Sequence, residues 1–554
     1  MPIFMACPSL PSRVRPCFWP LSGPRSGLRS GLRSGLRSGG NLACAQLVAE
    51  LSLVLLVASG AAANPAGVSD AQWVESVESA ESAELAELVE SEAHLDPKSA
   101  LRSGGASRAR WYRGATHVHT LWSDGDAAPE MVVAWYRDRG FDFVALSDHD
   151  ALQQGEWWFP IGQGSPLDDA QVHAIQERFG DGWVELERVD GGGYAMRLKT
   201  LLELSAEFGG DGDFLLLPAA EITTGGGNPH VTALNLREAI PGVALRADRG
   251  RVLQGYLDRV QAQALEHDVP MLGMVNHLNW GNGTTARSLL DVEGLRFFEV
   301  YNGSDERGEG WPEQSRPKVE RIWDIVLSLR LPQDPGFRLY GVASDDAHQY
   351  ANWGREYANP GRGWVAVRAE SLAAESLIAS LQRGDFYSST GVELSDVNAT
   401  PTELAIAIRA EPGVRYTTEF IGTLRGFDAG SQPVLGADGE PIAGASRRFG
   451  VEIGQVLHTT RDNPAVYRFR GDELYVRARV RSDVAQENPT HAGDLQTAWI
   501  QPVVPGGATA GPPGPSGPIG PARAIPASRA IPASRASRAT RTTWTTPTAF
   551  PAEE

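Results

Sequence analysis

Eleven histidines occur in 554 residues, and two of them stand one residue apart in THVHTLWSDG, from Thr116 to Gly125. On an extended chain alternate side chains share a face, so His117 and His119 point the same way. Two imidazoles converging on one point suit a divalent cation, and Asp124 follows as an oxygen donor. Groups of the same chemistry recur downstream: Asp148-His149-Asp150, Glu221, His230, His277, and Asp345-Asp346-Ala347-His348. The three cysteines, Cys7, Cys17 and Cys44, all precede them, so nitrogen and carboxylate oxygen are the donors on offer. That set suits Mn, Fe or Zn, whereas calcium takes oxygen alone.

These residues need a frame that brings them together. Seven short apolar runs read as strands: GATHVH, FDFVALS, FLLLPAAEI, HVTALNL, MLGMVNH, RFFEVYN and RLYGVAS. Helical spacing of apolar residues falls at 129–139, 251–267, 316–329 and 371–383. The alternation implies parallel βα units, closed as a barrel or left as an open sheet, and seven strands are too few for a regular eight-stranded barrel. Residues 154–213 break the alternation and read as an insertion. Most of the candidate ligands close a strand, and in parallel α/β folds the carboxyl ends form the active-site face. Singly, Glu221 reads as well as a helix cap and His277 as a core histidine. Jointly, the bland reading needs five coincidences of type and position. His230 is the exception in placement, because it opens its strand. His94, His173, His267, His458 and His491 lie away from these strand ends and read as structural or solvated.

The order HVHTLWSDG, LSDHD, PAAEIT, VNH, SDDAH resembles the polymerase-and-histidinol-phosphatase (PHP) superfamily of metallohydrolases over about residues 113–390. The later GRGWVAVRAESLAAESLIASLQRGDFYSSTGVEL is similar to its exported carbaryl-hydrolase-like subgroup. The resemblance implies a distorted seven-stranded βα barrel whose rim holds two or three divalent ions. It implies that His117 and His119 bind one ion with Asp346 and His348, that Asp124 and His149 reach a second, that Glu221 bridges, and that His230 and His277 hold a third. His277-Leu278 stands where the family commonly has His-Pro, and Asp345 is the alternative to Asp346. With such ions the nucleophile is a metal-bound hydroxide, since binding lowers the pKa of water from 15.7 to about 7, and no protein nucleophile is needed. Asp148, beside His149, and Glu299, in FFEVYNG, are expected to orient ligands from outside, with Glu299 open to a ligand role as well. Arg355 and Arg362 are candidates to contact a substrate phosphate. Trp280, Trp353 and Trp364 either line an apolar pocket or belong to the core.

The chain carries 50 basic and 68 acidic residues, a net charge of −18. Basic residues collect at both ends, leaving the middle more acidic still, so nucleic acid is a disfavoured partner and a small, phosphorylated molecule the expected one. Residues 1–63 hold RSGLRSGLRSGLRSGG and then LSLVLLVASGAAA, a signal-like apolar run too short to span a bilayer. A periplasmic or secreted location is therefore expected. Residues 64–110 form an acidic linker, 111–391 the barrel, 392–504 a small antiparallel β-sandwich, and 505–554 a disordered Pro/Ala/Arg-rich tail. Three functions remain open: a phosphoesterase; a carboxylic ester, amide or carbamate hydrolase with the same centre; and a non-catalytic metal-binding or envelope-attachment module.

Overall fold

The computed structural model describes residues 109–506, apart from 190–191, 211, 226, 228, 245–247, 281–282, 305–316 and 443–444. The leader, the acidic linker up to residue 108 and the C-terminal tail from 507 lie outside the described residues. No helix among those described is long and apolar enough to cross a membrane.

All seven expected strands form. They are β1 (Arg110–Ala115) and β2 (Phe143–Leu146), then, beyond β3 (Trp158–Ile161), β4 (Leu186–Arg188) and β5 (Tyr194–Arg197) of the insertion, β6 (Leu215–Ile222), β7 (Val231–Leu234), β8 (Leu272–Val275), β9 (Phe297–Asn302) and β10 (Tyr340–Ser344). The insertion strands make a small sheet of their own. The helices are α1 (Pro129–Arg137), α2 (Asp169–Phe179), α3 (Leu201–Phe208), α4 (Arg249–His267), α5 (Ala286–Leu290), α6 (Val319–Arg330) and α7 (Ala374–Arg383). Their ends follow local chemistry. Proline opens α1, capping boxes at Asp168 and Thr200 open α2 and α3, and Gly384, at φ 79°, closes α7.

The expected barrel does not close. Two strands that the sequence reading passed over, β11 (Trp364–Ala369) and β12 (Phe386–Ser389), continue the sheet instead. β11 lies antiparallel against β1 along Arg110 to Gly114, and so takes the edge that closure would need. Beyond the strand ends a bridge, Val118 to Ala347, joins the chain after β1 to the chain after β10.

The C-terminal region adds β13 (Leu394–Ala399), β14 (Glu403–Ile408), β15 (Tyr416–Leu424), β16 (Ser431–Gln432), β17 (Arg448–Phe449), β18 (Gln455–Thr460), β19 (Ala465–Arg468), β20 (Glu473–Ala485) and β21 (Leu495–Val503). Among the described residues, one sheet of thirteen strands runs β10-β9-β8-β7-β6-β2-β1-β11-β12-β21-β20-β15-β18. Of the C-terminal strands, β13, β14 and β19 form a separate three-stranded sheet, packed on the large one through Leu404, Ile406, Phe420, Val476 and Ile500, and β16 and β17 pair with each other.

Helix α6 ties the two regions together. Trp323 is fully buried, packs edge-on against Phe298 and donates to the Leu339 carbonyl at 2.8 Å. One turn of chemistry away, the Arg477 guanidinium of β20 grips Asp324 through Nε and Nη2 at 2.8 and 2.7 Å.

Candidate metal centre

Strand direction explains the gathering of ligands. β1, β2 and β6 run parallel, as do β8, β9 and β10, so their carboxyl ends share one rim. β7 runs antiparallel to both β6 and β8. Its beginning therefore lies where its neighbours end, and His230, immediately before it, reaches the same rim.

His117 and His119 lie just past the end of β1, in extended chain, and Val118 between them is fully buried on the other side. Their Nε2 atoms approach to 3.1 Å. Each also faces Glu221 Oε2 at 3.4 Å and Asp346 Oδ1 at 3.3 Å. His117, His119 and Glu221 are compact enough to hold one ion, and Asp346 Oδ1 lies within 3.3 Å of both imidazole nitrogens. One proton can satisfy one pair of these atoms, whereas a cation accepts lone pairs from several at once. The residues fit a divalent ion.

The remaining candidates surround this group. His149 Nδ1 lies 3.0 Å from Glu221 Oε2, and its Nε2 lies 3.5 Å from Asp124 Oδ2. His348 Nε2 lies 3.3 Å from Asp124 Oδ1, which groups it with Asp124 and His149 rather than with His117. His230 Nδ1 and His277 Nε2 each lie 3.1 Å from the other Glu221 oxygen, Oε1. Glu221 thus turns one oxygen to each half of the cluster. Three overlapping sets are compact enough to hold an ion: His119, Asp124, His149 and His348; His117, His119 and Glu221; His149, Glu221 and His230. All nine expected ligands meet at one rim.

The electrostatics match. Burial would raise the Glu221 and Asp346 carboxyls, yet His117 beside them holds both well below the usual carboxylate range. Burial would lower the His117 imidazole, but Asp346, Glu221 and Glu299 raise it well above its ordinary value. His119 is pushed down to about 3 by burial and by the neighbouring His348 and His149, which leaves its lone pair ready for a cation. Burial would lower His149 and His348, but Asp124, with Glu221 at His149 and Asp346 at His348, raises them to about 11 and about 9.

Outer partners fix the rings. Glu299 Oε1 accepts from His117 Nδ1 at 2.6 Å, on the side away from the cluster, so Glu299 orients rather than ligates. Its other oxygen accepts from the His277 backbone at 2.6 Å and from Asn302 at 2.8 Å. His277 and Asp346 sit at φ 21° and 50°, conformations that side chains rarely adopt, and the Glu299 bond to its amide holds His277 in place. Asp345 faces away, accepting from Tyr136 and from the Gly361 and Gly363 amides.

Three expectations need correction. Asp148 does not orient His149; it accepts from Thr120, Ser123 and Gln153, bracing the loop that carries His117 and His119. Neighbouring residues on extended chain point to opposite sides, and Thr223 Oγ1, at 2.7 Å from His149 Nδ1, takes that role. Arg362 is buried and donates to the carbonyls of Gly303, Gly354 and Asn488, so its fork is engaged by backbone. Arg355 is exposed in a depression with Glu356, Thr490, His491 and Ala492, none of them a ligand candidate. Of the three tryptophans, Trp364 is core, Trp353 stacks on Trp135, and Trp280 stands beside His230 and His277.

Sequence reasoning missed Thr223, Asn276, Asn302 and Ser344. Asn276 donates to Glu221 Oε1 at 2.7 Å, and Ser344 to Glu299 Oε1 at 2.6 Å. A signal existed for Thr223, which lies two residues after Glu221 and so on its face of the strand.

No family model matches the chain, and no curated protein matches it. A two-domain protein from Bacteroides vulgatus ATCC 8482, described as containing a predicted PHP-like metal-dependent phosphoesterase, aligns at 13% identity and a TM-score of 0.33, over 71% of this chain and 95% of that one. A Bifidobacterium adolescentis ATCC 15703 protein assigned as a metal-dependent phosphoesterase aligns at 13% identity and a TM-score of 0.21, over 43% of this chain and 89% of its own. Likeness at this level places no residue of this chain on a residue of theirs.

Proposed function

We propose that the chain is a metal-dependent hydrolase and that its substrates are phosphate esters of small molecules. The observation that carries this reading is the four-atom arrangement of His117, His119, Glu221 and Asp346, set among five further ligand side chains. Divalent ions bound there would supply an acidified water and a positive clamp on the oxygens of an in-line displacement at phosphorus. The protein's own contribution is placement. Glu221 sets the spacing of the two halves, while Glu299 and Thr223 fix ring orientation. The buried floor of His117 and His119 excludes bulk water. Asp124, His149 and His348 form the solvent-facing edge, with side chains 57, 28 and 18% exposed, where an ester would enter. The signal-like leader supports export to the periplasm or beyond.

One observation favours the second reading, a carboxylic ester, amide or carbamate hydrolase. Among the described residues, no arginine or lysine forms a hydrogen bond or ion pair with any of the nine. Hydrolysis by the full chain with added Mn²⁺, with and without chelator, compares phosphate esters with carboxylic esters and carbamates. Chelator-sensitive phosphate release that His149→Ala lowers by more than about 100-fold is the expected result. Turnover of carbon esters or carbamates alone would replace the proposal with the second reading.

A further inference from the structure

Asp124 is the one carboxylate of the cluster held on a loop rather than at a strand end. Among the described residues, it pairs with His119, His149 and His348 alone, at 3.6, 3.5 and 3.3 Å. No bond from outside the cluster fixes its side chain, so the backbone of residues 120–126 sets where the carboxylate stands. Two attachments hold that backbone. On one side Asp148 accepts from the Thr120 amide and the Ser123 hydroxyl, each at 2.7 Å. Asp148 is held in turn by Gln153, the residue before the insertion, which donates to its other oxygen at 2.7 Å. The Gln153 carbonyl accepts from the Leu201 amide at the start of α3, at 2.8 Å. On the other side, Leu121 and Trp122 share an apolar cluster with Val172, Ile175, Met196 and Leu198 of the insertion. The Trp122 indole also donates to the Lys199 carbonyl at 3.0 Å. Gln153 is fully buried, and its Oε1 accepts no hydrogen bond. A buried amide oxygen left this way is a cost, which the donor end of the same side chain offsets.

We infer that the insertion positions Asp124 through Gln153 and Trp122, and so sets how tightly the edge of His119, Asp124, His149 and His348 holds an ion. The inference rests on the metal-dependent reading and assigns the insertion to one end of the centre. Among the described residues, no insertion residue bonds to His117, Glu221 or Asp346. His117 is fixed by Glu299 and Glu221 by Asn276, both on the sheet side. A shift of the 120–126 loop therefore moves Asp124 while this floor stays in place. Gln153 and Trp122 are positioning residues: they act on the ion only through the loop.

The test titrates Mn²⁺ into the full chain by calorimetry, in wild-type, Asp124→Ala, Gln153→Met and Trp122→Phe forms, with thermal midpoints taken before metal is added. The binding event that Asp124→Ala weakens is the edge event. Outer partners of metal ligands are typically worth roughly 10–100-fold in affinity. Gln153→Met and Trp122→Phe should each weaken the edge event by about tenfold and change the other by less than about twofold. Equal weakening of both events, in step with a lower thermal midpoint, would make the two residues general supports of the fold and overturn the inference. Unchanged affinity in both variants would overturn it too, as would Mn²⁺ binding that Asp124→Ala leaves intact. Wild-type protein that binds no Mn²⁺ would overturn the metal-dependent reading itself.

Discussion

Glu221 is the residue on which the cluster turns, because its two oxygens face different histidines: Oε2 faces His117, His119 and His149, and Oε1 faces His230 and His277. Loss of an outer orienting partner typically costs roughly 10–100-fold in metal affinity. Glu221→Gln removes the charge shared by both halves, so Mn²⁺ affinity should fall by more than that, on the order of 1,000-fold by calorimetry. A second expectation follows from the imidazoles. His149 and His348 are raised to about 11 and about 9 despite burial, by Asp124 together with Glu221 at His149 and Asp346 at His348. Folding therefore binds their protons more tightly. That contribution to stability is complete below their ordinary value of about 6.5 and is lost as pH rises through the raised values. A cation must displace the same protons, so metal affinity should climb between pH 6 and 8, about tenfold per pH unit for each proton released. Titrations in buffers of different ionisation heat count those protons, and pH-independent affinity would contradict the assignment.

At the scale of elements, α6 and β20 meet through an ion pair that is almost wholly buried, Asp324 at 3% and Arg477 at 1% exposure. Arg477 also reaches Glu320 at 3.0 Å, and Tyr475 donates to Asp324 at 2.7 Å. Removing one partner leaves a buried charge uncompensated, which costs about 3–5 kcal/mol. Asp324→Ala should lower stability by that amount in urea denaturation, while Asp324 is remote enough from the nine ligands that metal stoichiometry in the folded fraction should hold. Much at this scale was readable. The four helical patterns are present with ends shifted by at most three residues, because 3.6-residue spacing and caps are local properties. β11 and β12 were missed: WVAV and FYSS are short runs whose strand identity depends on β1 and β21 beside them.

At the scale of the molecule, the C-terminal region reaches back to the rim. The loop between β20 and β21 offers Asn488 to Arg362, while Gln486 and Thr490 meet Tyr301 and the Gly303 carbonyl is shared by Arg362 and Thr490. Arg362 therefore fastens the chain after β9, the chain after β10 and the C-terminal loop together. A lysine cannot reproduce the planar fork. Arg362→Lys should destabilise by on the order of 2 kcal/mol, seen as a lower thermal midpoint, without a selective rise in KM for phosphate esters. A rise in KM at unchanged stability would return Arg362 to the substrate-binding role that its sequence position suggested.

Residue type and strand periodicity carried the inventory. That His117 and His119 share a face, that Asp124, His149, Glu221, His277, Asp346 and His348 follow apolar runs, and that sulfur is absent from the set are all properties of the chain read locally. The seven strands were legible for the same reason. Direction and pairing were not, because they depend on residues far apart in sequence. Only the fold shows that β7 runs backwards and so delivers His230 to the rim, that β11 occupies the edge a closed barrel would need, and that Thr223 rather than Asp148 steadies His149. Alternation along a strand is fixed by covalent geometry, whereas which strand lies beside which is decided by the burial and hydrogen bonding of the whole chain at once.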